Sequence, residues 1–429
     1  MSDTSNNLRR VLGLRSAVFL GLGSILGTGV FVSIGIAAGI TGGSVIAAIA
    51  VAALLAMCNA MSSAQLAAFH PVSGGTYEYG YRLLGPRFGF TAGWMFLLAK
   101  SASAASAALG VVLYAGAMFG LGGKDIASFL AAGIVGGMAL LVASGLKRSN
   151  AVNTVIVSLT LLVLTTFIII GSLNVTPSSA VKFTPIFNPD GNAIRSFLEG
   201  CALMFVAFTG YGRIATLGEE VKDPRRTIPR AILTTLTVSA LLYMAVGAMW
   251  VMLIGADPFL GAEAALSLEN AARLTKVPEL ASFMAIGAVI AMLGVLLNLL
   301  LGLSRVMLAM ARRRDMPLAL SKINAGGSPV FAVLAVGAII MGLALIGDIK
   351  TTWSFSAFTV LIYYSITNLC ALRQPEGERL YPRWVSKVGL VMCLGLATFM
   401  PMKIWVVGLA LLAVGFIWHE AAQRFARHV

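Results

Sequence analysis

The strongest constraint on this chain is a succession of long apolar segments separated by short polar, glycine or proline breaks. They fall near 16–40, 44–69, 88–118, 127–145, 151–172 and 194–217, then near 228–254, 279–311, 329–347, 351–372, 386–400 and 403–420. A helix crossing about 30 Å of hydrocarbon needs roughly 20 apolar residues, because each residue rises ~1.5 Å. Of the 429 residues, 58% are hydrophobic and 11% charged, where soluble domains carry roughly a quarter charged residues. The pattern predicts an all-α integral membrane protein with twelve transmembrane helices and both termini on one side.

Net charge of +14 would suit nucleic acid in a soluble protein, but in a membrane protein the placement of cations decides their meaning. With a cytoplasmic amino terminus, 21 of the 31 Lys and Arg residues fall in cytoplasmic loops and tails and 7 outside. Positive charge resists translocation, so this bias supports that orientation. It also accounts for the basic balance without a nucleic-acid surface, for which no soluble domain is available. The remaining three cations, Lys100, Arg213 and Arg305, are intramembrane candidates. Cys58, Cys201, Cys370 and Cys393 lie singly in apolar runs, without the spacing of a metal site or a disulfide framework. With three histidines in all, His70, His419 and His428, metal chemistry has few candidates, and no cofactor is expected. The polar amino terminus leads into an apolar segment too long and glycine-rich for a removable signal peptide, so that helix is expected to stay.

Two of the apolar segments are interrupted by glycines: Gly21, Gly23, Gly27 and Gly29 in the first, Gly210 and Gly212 in the sixth. These segments open successive groups of five, a sequence pointer to an inverted-repeat carrier with its site at the membrane midplane. Unwound backbone is tolerated in hydrocarbon where it is buried or lines a cavity. Its freed amides and carbonyls suit a carboxylate and an ammonium respectively. A second reading of Gly23 and Gly27 stands beside this one, as a small-residue face for close helix packing.

The run Gly23–Phe31, GSILGTGVF, resembles the first-helix signature of the amino acid–polyamine–organocation (APC) superfamily. The stretch Phe205–Ile232, FVAFTGYGRIATLGEEVKDPRRTIPRAI, is similar to its sixth helix and following loop, and Ser304–Pro317, SRVMLAMARRRDMP, to the end of its eighth. The three lie in the family's order within a resemblance covering Arg15 to Pro375, nearest to its cationic amino acid transporter-like and bacterial permease branch. It implies a 5+5 inverted repeat, with units at 15–172 and 194–372, a helix pair at 383–420, and tails at 1–14 and 421–429. It further implies that amides at Gly27, Thr28 and Gly29 hold a substrate carboxylate. Carbonyls of Ile25, Val206 and Thr209 would meet the α-amine, with Gly210 in the break. Phe205, Phe208 and Tyr211 would wall or gate the pocket, unless they serve helix packing. Glu219 and Glu220, with Lys222, Asp223, Arg225 and Arg226, look like a cytoplasmic gate, unless the loop is merely solvated.

The chain departs from the family pattern in two respects. Carriers of cationic amino acids often place an acid where Gly212 stands, here followed by Arg213. That leaves a cationic substrate without its countercharge; Arg213 either favours neutral or acidic substrates or pairs with a nearby acid such as Glu219. Helix five, Val152 to Thr165, lacks the lysine of proton-coupled and exchanger relatives and has Thr160 at the matching place. Helix eight has no serine or threonine between Phe283 and Leu303 for a sodium site. Lys100, mid-helix where burying a charge costs about 3 kcal/mol or more, either supplies the switchable charge or pairs structurally. The resemblance implies a sodium-independent secondary transporter of small neutral L-amino acids in the cell membrane, proton-coupled or exchanging. An amine, polyamine or cationic amino acid exchanger and a non-transporting sensor are the alternatives. Enzyme chemistry lacks a nucleophile-and-base set, and the expected partners are the substrate and membrane lipid, with no obligatory protein subunit.

Overall fold

The computed structural model describes residues 12–71, 74–120, 124–145, 150–176, 186–187, 192–215, 221–255, 266–324 and 328–428. A helix or a broken helix stands at each of the twelve apolar segments. In chain order these are α1 (Leu14–Ile25), α2 (Thr28–Phe31), α3 (Ser33–Thr41), α4 (Val45–Phe69), α5 (Thr76–Leu83), α6 (Pro86–Phe119), α7 (Lys124–Ala143), α8 (Asn150–Asn174) and α9 (Ala193–Phe208). There follow α10 (Gly212–Ala215), α11 (Pro224–Ile254), α12 (Ser267–Arg273), α13 (Glu279–Arg312), α14 (Val330–Ile346), α15 (Ile349–Arg373), α16 (Arg383–Thr398) and α17 (Met402–His428). Nine helical stretches among the described residues are long and apolar enough to cross a bilayer, and α1 and α14 are shorter apolar helices. Apart from one isolated bridge between Leu12 and Val221, the described residues contain no β structure.

Local sequence sets the helix ends. Pro86 and Pro224 open α6 and α11 in the first turn, where a missing amide costs nothing. Gly120 ends α6 in the left-handed conformation at φ 68°, which a residue without Cβ adopts freely. Side chains of Asn192 and Asp348 accept from the amides of Arg195 and Thr351 at 3.1 and 2.8 Å, capping α9 and α15.

Burial is distributed as a bilayer requires. Large apolar side chains face outward, among them Leu173, Phe129 and Ile417, while alanines, serines and glycines fill the interior. Along α6, Ala102, Ala104, Ala105, Ala107 and Ala108 are fully buried. Lipid gives helices no hydrophobic reason to associate, so small residues that admit close backbones, together with interhelical hydroxyl bonds, hold them. Ser103 and Ser106 of α6 bond to Ser356 and Thr352 of α15 at 2.7 and 2.8 Å. A second polar seam joins α4, α15 and α16, where Ser62 meets both Asn368 (2.7 Å) and Ser386 (2.8 Å).

Candidate functional site

The first helix breaks between Ile25 and Thr28. Leu26 is extended at φ −77°, ψ 102°, and the chain re-enters helix after Gly27. Space dictates the glycine: a Cβ on Gly27 would lie 2.5 Å from Val295 Cγ2. The carbonyl of Gly27 accepts from the amides of Val30 and Phe31 at 3.0 and 3.1 Å. Among the described residues the amides of Gly27, Thr28 and Gly29 find no acceptor. The Thr28 hydroxyl beside them is buried and also without a partner. Buried donors left this way cost about 1–3 kcal/mol each, a cost removed when a ligand accepts from them.

The carbonyls that precede the break are held by side chains. Asn298 of α13 donates to Gly23 O at 3.0 Å, and Tyr243 of α11 donates to Ile25 O at 2.8 Å. Asn153 of α8 reaches Phe19 O at 2.9 Å. Three different helices therefore fix the unwound end of α1.

The sixth segment breaks differently. α9 passes through a single 3₁₀ turn, Thr209–Tyr211, into α10. Thr209 Oγ1 donates to Val206 O at 2.7 Å and accepts from Lys100 Nζ at 2.6 Å. Lys100 Nζ and Tyr364 Oη each lie 3.4 Å from Thr209 O. Lys100 is 6% exposed, and its ammonium sits at the carbonyl end of α9, where the helix dipole favours positive charge. Gly210 packs on the first break, since a Cβ there would lie 2.2 Å from Ser24 O.

One cavity lies between the two breaks. Its volume is about 70 Å³, where one water needs about 10–15 Å³. Ile25, Thr28, Gly29, Val206, Thr209 and Gly210 line it, and so do Lys100 and Arg213. Phe205, Phe208 and Tyr211 do not. Phe205 and Tyr211 pack against Tyr364 at centroid distances of 5.6 Å, and Phe208 against Tyr243 at 5.1 Å. These rings brace the helices behind the cavity, whose aromatic wall is formed instead by Phe96 and Trp353. Gly27 is not among the lining residues; it packs against Val295, which is. Thr160 is buried away from it, with its hydroxyl turned back to Ile156 O at 2.8 Å.

Asn298, Tyr243, Trp353 and Ser103 were missed by sequence reading. Asn298 did leave a signal, as the lone polar side chain in the apolar run Ala288–Leu303. The others sit in helices whose many hydroxyls and rings give no indication of which one faces the cavity.

At the end of the bundle holding the Arg-rich loops, Asp315 is fully buried and gathers three elements. Tyr77 and Tyr81 of α5 donate to Oδ2 at 2.8 and 2.5 Å, and His419 of α17 lies 3.1 Å from Oδ1. Burial and the Asp315 carboxylate hold the phenols of Tyr77 and Tyr81 above their ordinary titration range. Arg313 pairs with Glu78 and lies 4.7 Å over the ring of Tyr81. Glu219 and Glu220, expected at the gate, lie outside the described residues. Of the charges beside them, Arg226 and Asp223 form an exposed pair at 4.0 Å, and Arg225 lies 5.0 Å over the ring of Phe69.

The sequence model of the amino acid permease family matches residues 16–424. An uncharacterised transporter of Mycobacterium tuberculosis is 40% identical over 414 residues, covering 96% of this chain and 91% of that protein. The branched-chain amino acid permease BcaP of Bacillus subtilis is 32% identical over 337 residues, 74% of this chain and 70% of that one. Human cationic amino acid transporter 4 is 27% identical over 392 residues, 87% of this chain and 61% of that one.

Proposed function

From the premise that the chain belongs to the amino acid permease family, as a multi-pass membrane transporter and not an enzyme, we propose that it moves small L-amino acids lacking a cationic side chain. Neutral amino acids are the first expectation, because Gly212 stands where a cationic substrate would need an acid. The observation that carries the reading is the pair of breaks facing one cavity, the first of which presents three amides and a hydroxyl without partners. In this reading Gly27, Thr28 and Gly29 receive the α-carboxylate. The α-amine meets the carbonyls of Ile25, Val206 and Thr209, of which Ile25 O accepts one side-chain bond, from Tyr243, and keeps a second lone pair. Phe205, Phe208 and Tyr211 act from behind the cavity, by fixing the helices that must move. Glu219 and Glu220 belong to the cytoplasmic gate, and Arg213 lines the cavity.

Twelve spans arranged as a 5+5 inverted repeat, with units at 15–172 and 194–372 and both termini cytoplasmic in the cell membrane, complete the reading. Alternating access then consists of the bundle bearing the broken helices rocking against the rest around a fixed site. Coupling is sodium-independent, through protons or exchange. Helix eight supplies no hydroxyl between Phe283 and Leu303, and a hard cation prefers oxygen ligands. Lys100, held on the sixth-helix break, is the ionisable side chain placed to respond to substrate.

The test is uptake of a panel of labelled amino acids into proteoliposomes, preloaded or empty, with sodium and pH gradients varied separately. Saturable uptake without sodium, enhanced by a pH gradient or by preloading, is the expected result. Flux of amines alone, or binding with no flux of any kind, would overturn it.

A further inference from the structure

The charge of the cavity is one-sided. Of the described residues that line it, two are cationic, Lys100 and Arg213, and none is acidic. Lys100 takes part in no ion pair among the described residues; its bonds go to the hydroxyl and carbonyl of Thr209, both neutral. An ammonium carries three donors, and two of them face Thr209. A buried cation whose partners are all neutral is costly in a bundle interior, and a cation so placed marks a substrate or ion path.

The two breaks also divide the labour. The open amides belong to the first helix, whereas Lys100 is seated on the sixth. One carboxylate accepting from Gly27–Gly29 leaves the ammonium of Lys100 unused. An additional acceptor is what the cavity lacks, and a ligand bearing two carboxylates and one amine would supply it.

We propose that the site takes acidic amino acids of the aspartate and glutamate class, with Lys100 as the side chain that selects the second carboxylate. The proposal rests on the amino acid reading of the preceding subsection and, within amino acids lacking a cationic side chain, puts the acidic class in place of the neutral one expected there. Asn298 and Ser103 share the cavity wall with Lys100, the first donating to Gly23 O and the second paired with Ser356, which leaves Lys100 to meet the side-chain carboxylate. A lysine or arginine substrate would meet the like charge of Lys100.

Isosteric pairs test this without altering shape. In proteoliposomes, aspartate against asparagine, and glutamate against glutamine, are compared as competitors of a labelled substrate of the wild-type protein. An advantage of the acid over its amide of about tenfold or more is expected, the effect of one added charged hydrogen bond in a buried site. Lys100→Met and Lys100→Gln should bring that ratio close to one, whatever they do to the overall rate. Lys100→Arg, which keeps the charge if the shorter variants fail to fold, should retain it. Amides that compete as well as the acids in the wild type would overturn the proposal and leave the amino acid reading intact. An acid preference that survives in Lys100→Met would overturn the role of Lys100. Absence of competition by any amino acid would overturn both readings.

Discussion

The two helix breaks solve the same problem in opposite ways. Both interrupt a helix inside the bundle, where every backbone group needs a partner. At the first break the chain runs extended through Leu26 and leaves the donors of Gly27, Thr28 and Gly29 open. At the second a single 3₁₀ turn closes the gap, and Thr209, Lys100 and Tyr364 satisfy or approach its carbonyls. In the reading proposed above, one break is completed by a ligand and the other by the protein's own cation, so that recognition belongs to the first helix and selection and response belong to the sixth.

The largest effect should come from forcing the breaks apart. Gly210→Ala would set a Cβ 2.2 Å from the backbone of Ser24, and Gly27→Ala would set one 2.5 Å from the side chain of Val295. Overpacking costs about 1–3 kcal/mol or more, so both should lower uptake at least about tenfold. The obstacle differs between them. Val295→Ala should restore much of the uptake of Gly27→Ala and none of that of Gly210→Ala, as read by initial rates in proteoliposomes. Equal rescue would mean that the two breaks do not differ in the way described.

Next in size is the seat of the cation. Thr209→Val removes the hydroxyl that joins Lys100 to Val206 O. Loss of a hydrogen bond to a charged group is worth about 1.5–3 kcal/mol, so uptake kcat/KM should fall roughly tenfold or more. Thr209→Ser, which keeps the hydroxyl, should stay within about threefold of wild type, since only a methyl is lost. Asn298→Leu should act more weakly on the first break. It removes two neutral bonds, a short one to Gly23 O and a longer one to Ser24 Oγ, each worth about 1 kcal/mol or less, and should raise KM several-fold. The smallest effect should come from replacing sodium by potassium outside the vesicles, which should leave initial rates unchanged; a strict sodium requirement would mean that a cation site escaped the reading of helix eight.

Both breaks could be read in the sequence because glycine clusters inside apolar runs have few structural explanations. The cavity wall was much less legible. α6 and α15 are buried nearly all round, and such helices give no sign in their sequence of which side chain faces an opening. Phe96, Ser103 and Trp353 were therefore invisible, although Lys100 stood out because a charge in that place must have a reason. Phe205, Phe208 and Tyr211 show the converse difficulty. An aromatic beside a break serves equally well as a wall or a brace, and in this structure the three rings pack on Tyr364 and Tyr243. The buried hub at Asp315 lay inside a motif matched by resemblance, but its partners come from α5 and α17, more than a hundred residues away. Sequence spacing cannot reveal a convergence of that kind.

The claim that the first break receives an α-carboxylate is tested most directly by chemical editing of the substrate. Uptake of a labelled amino acid is measured against three competitors with the same side chain: the intact amino acid, its methyl ester, and the amine from which the carboxylate has been removed. The account predicts that the intact compound competes and that the other two are weaker by about tenfold or more, the cost of leaving the buried amides without their charged acceptor. An amine that competes as well as the amino acid would contradict it, and would assign the site to amine exchange.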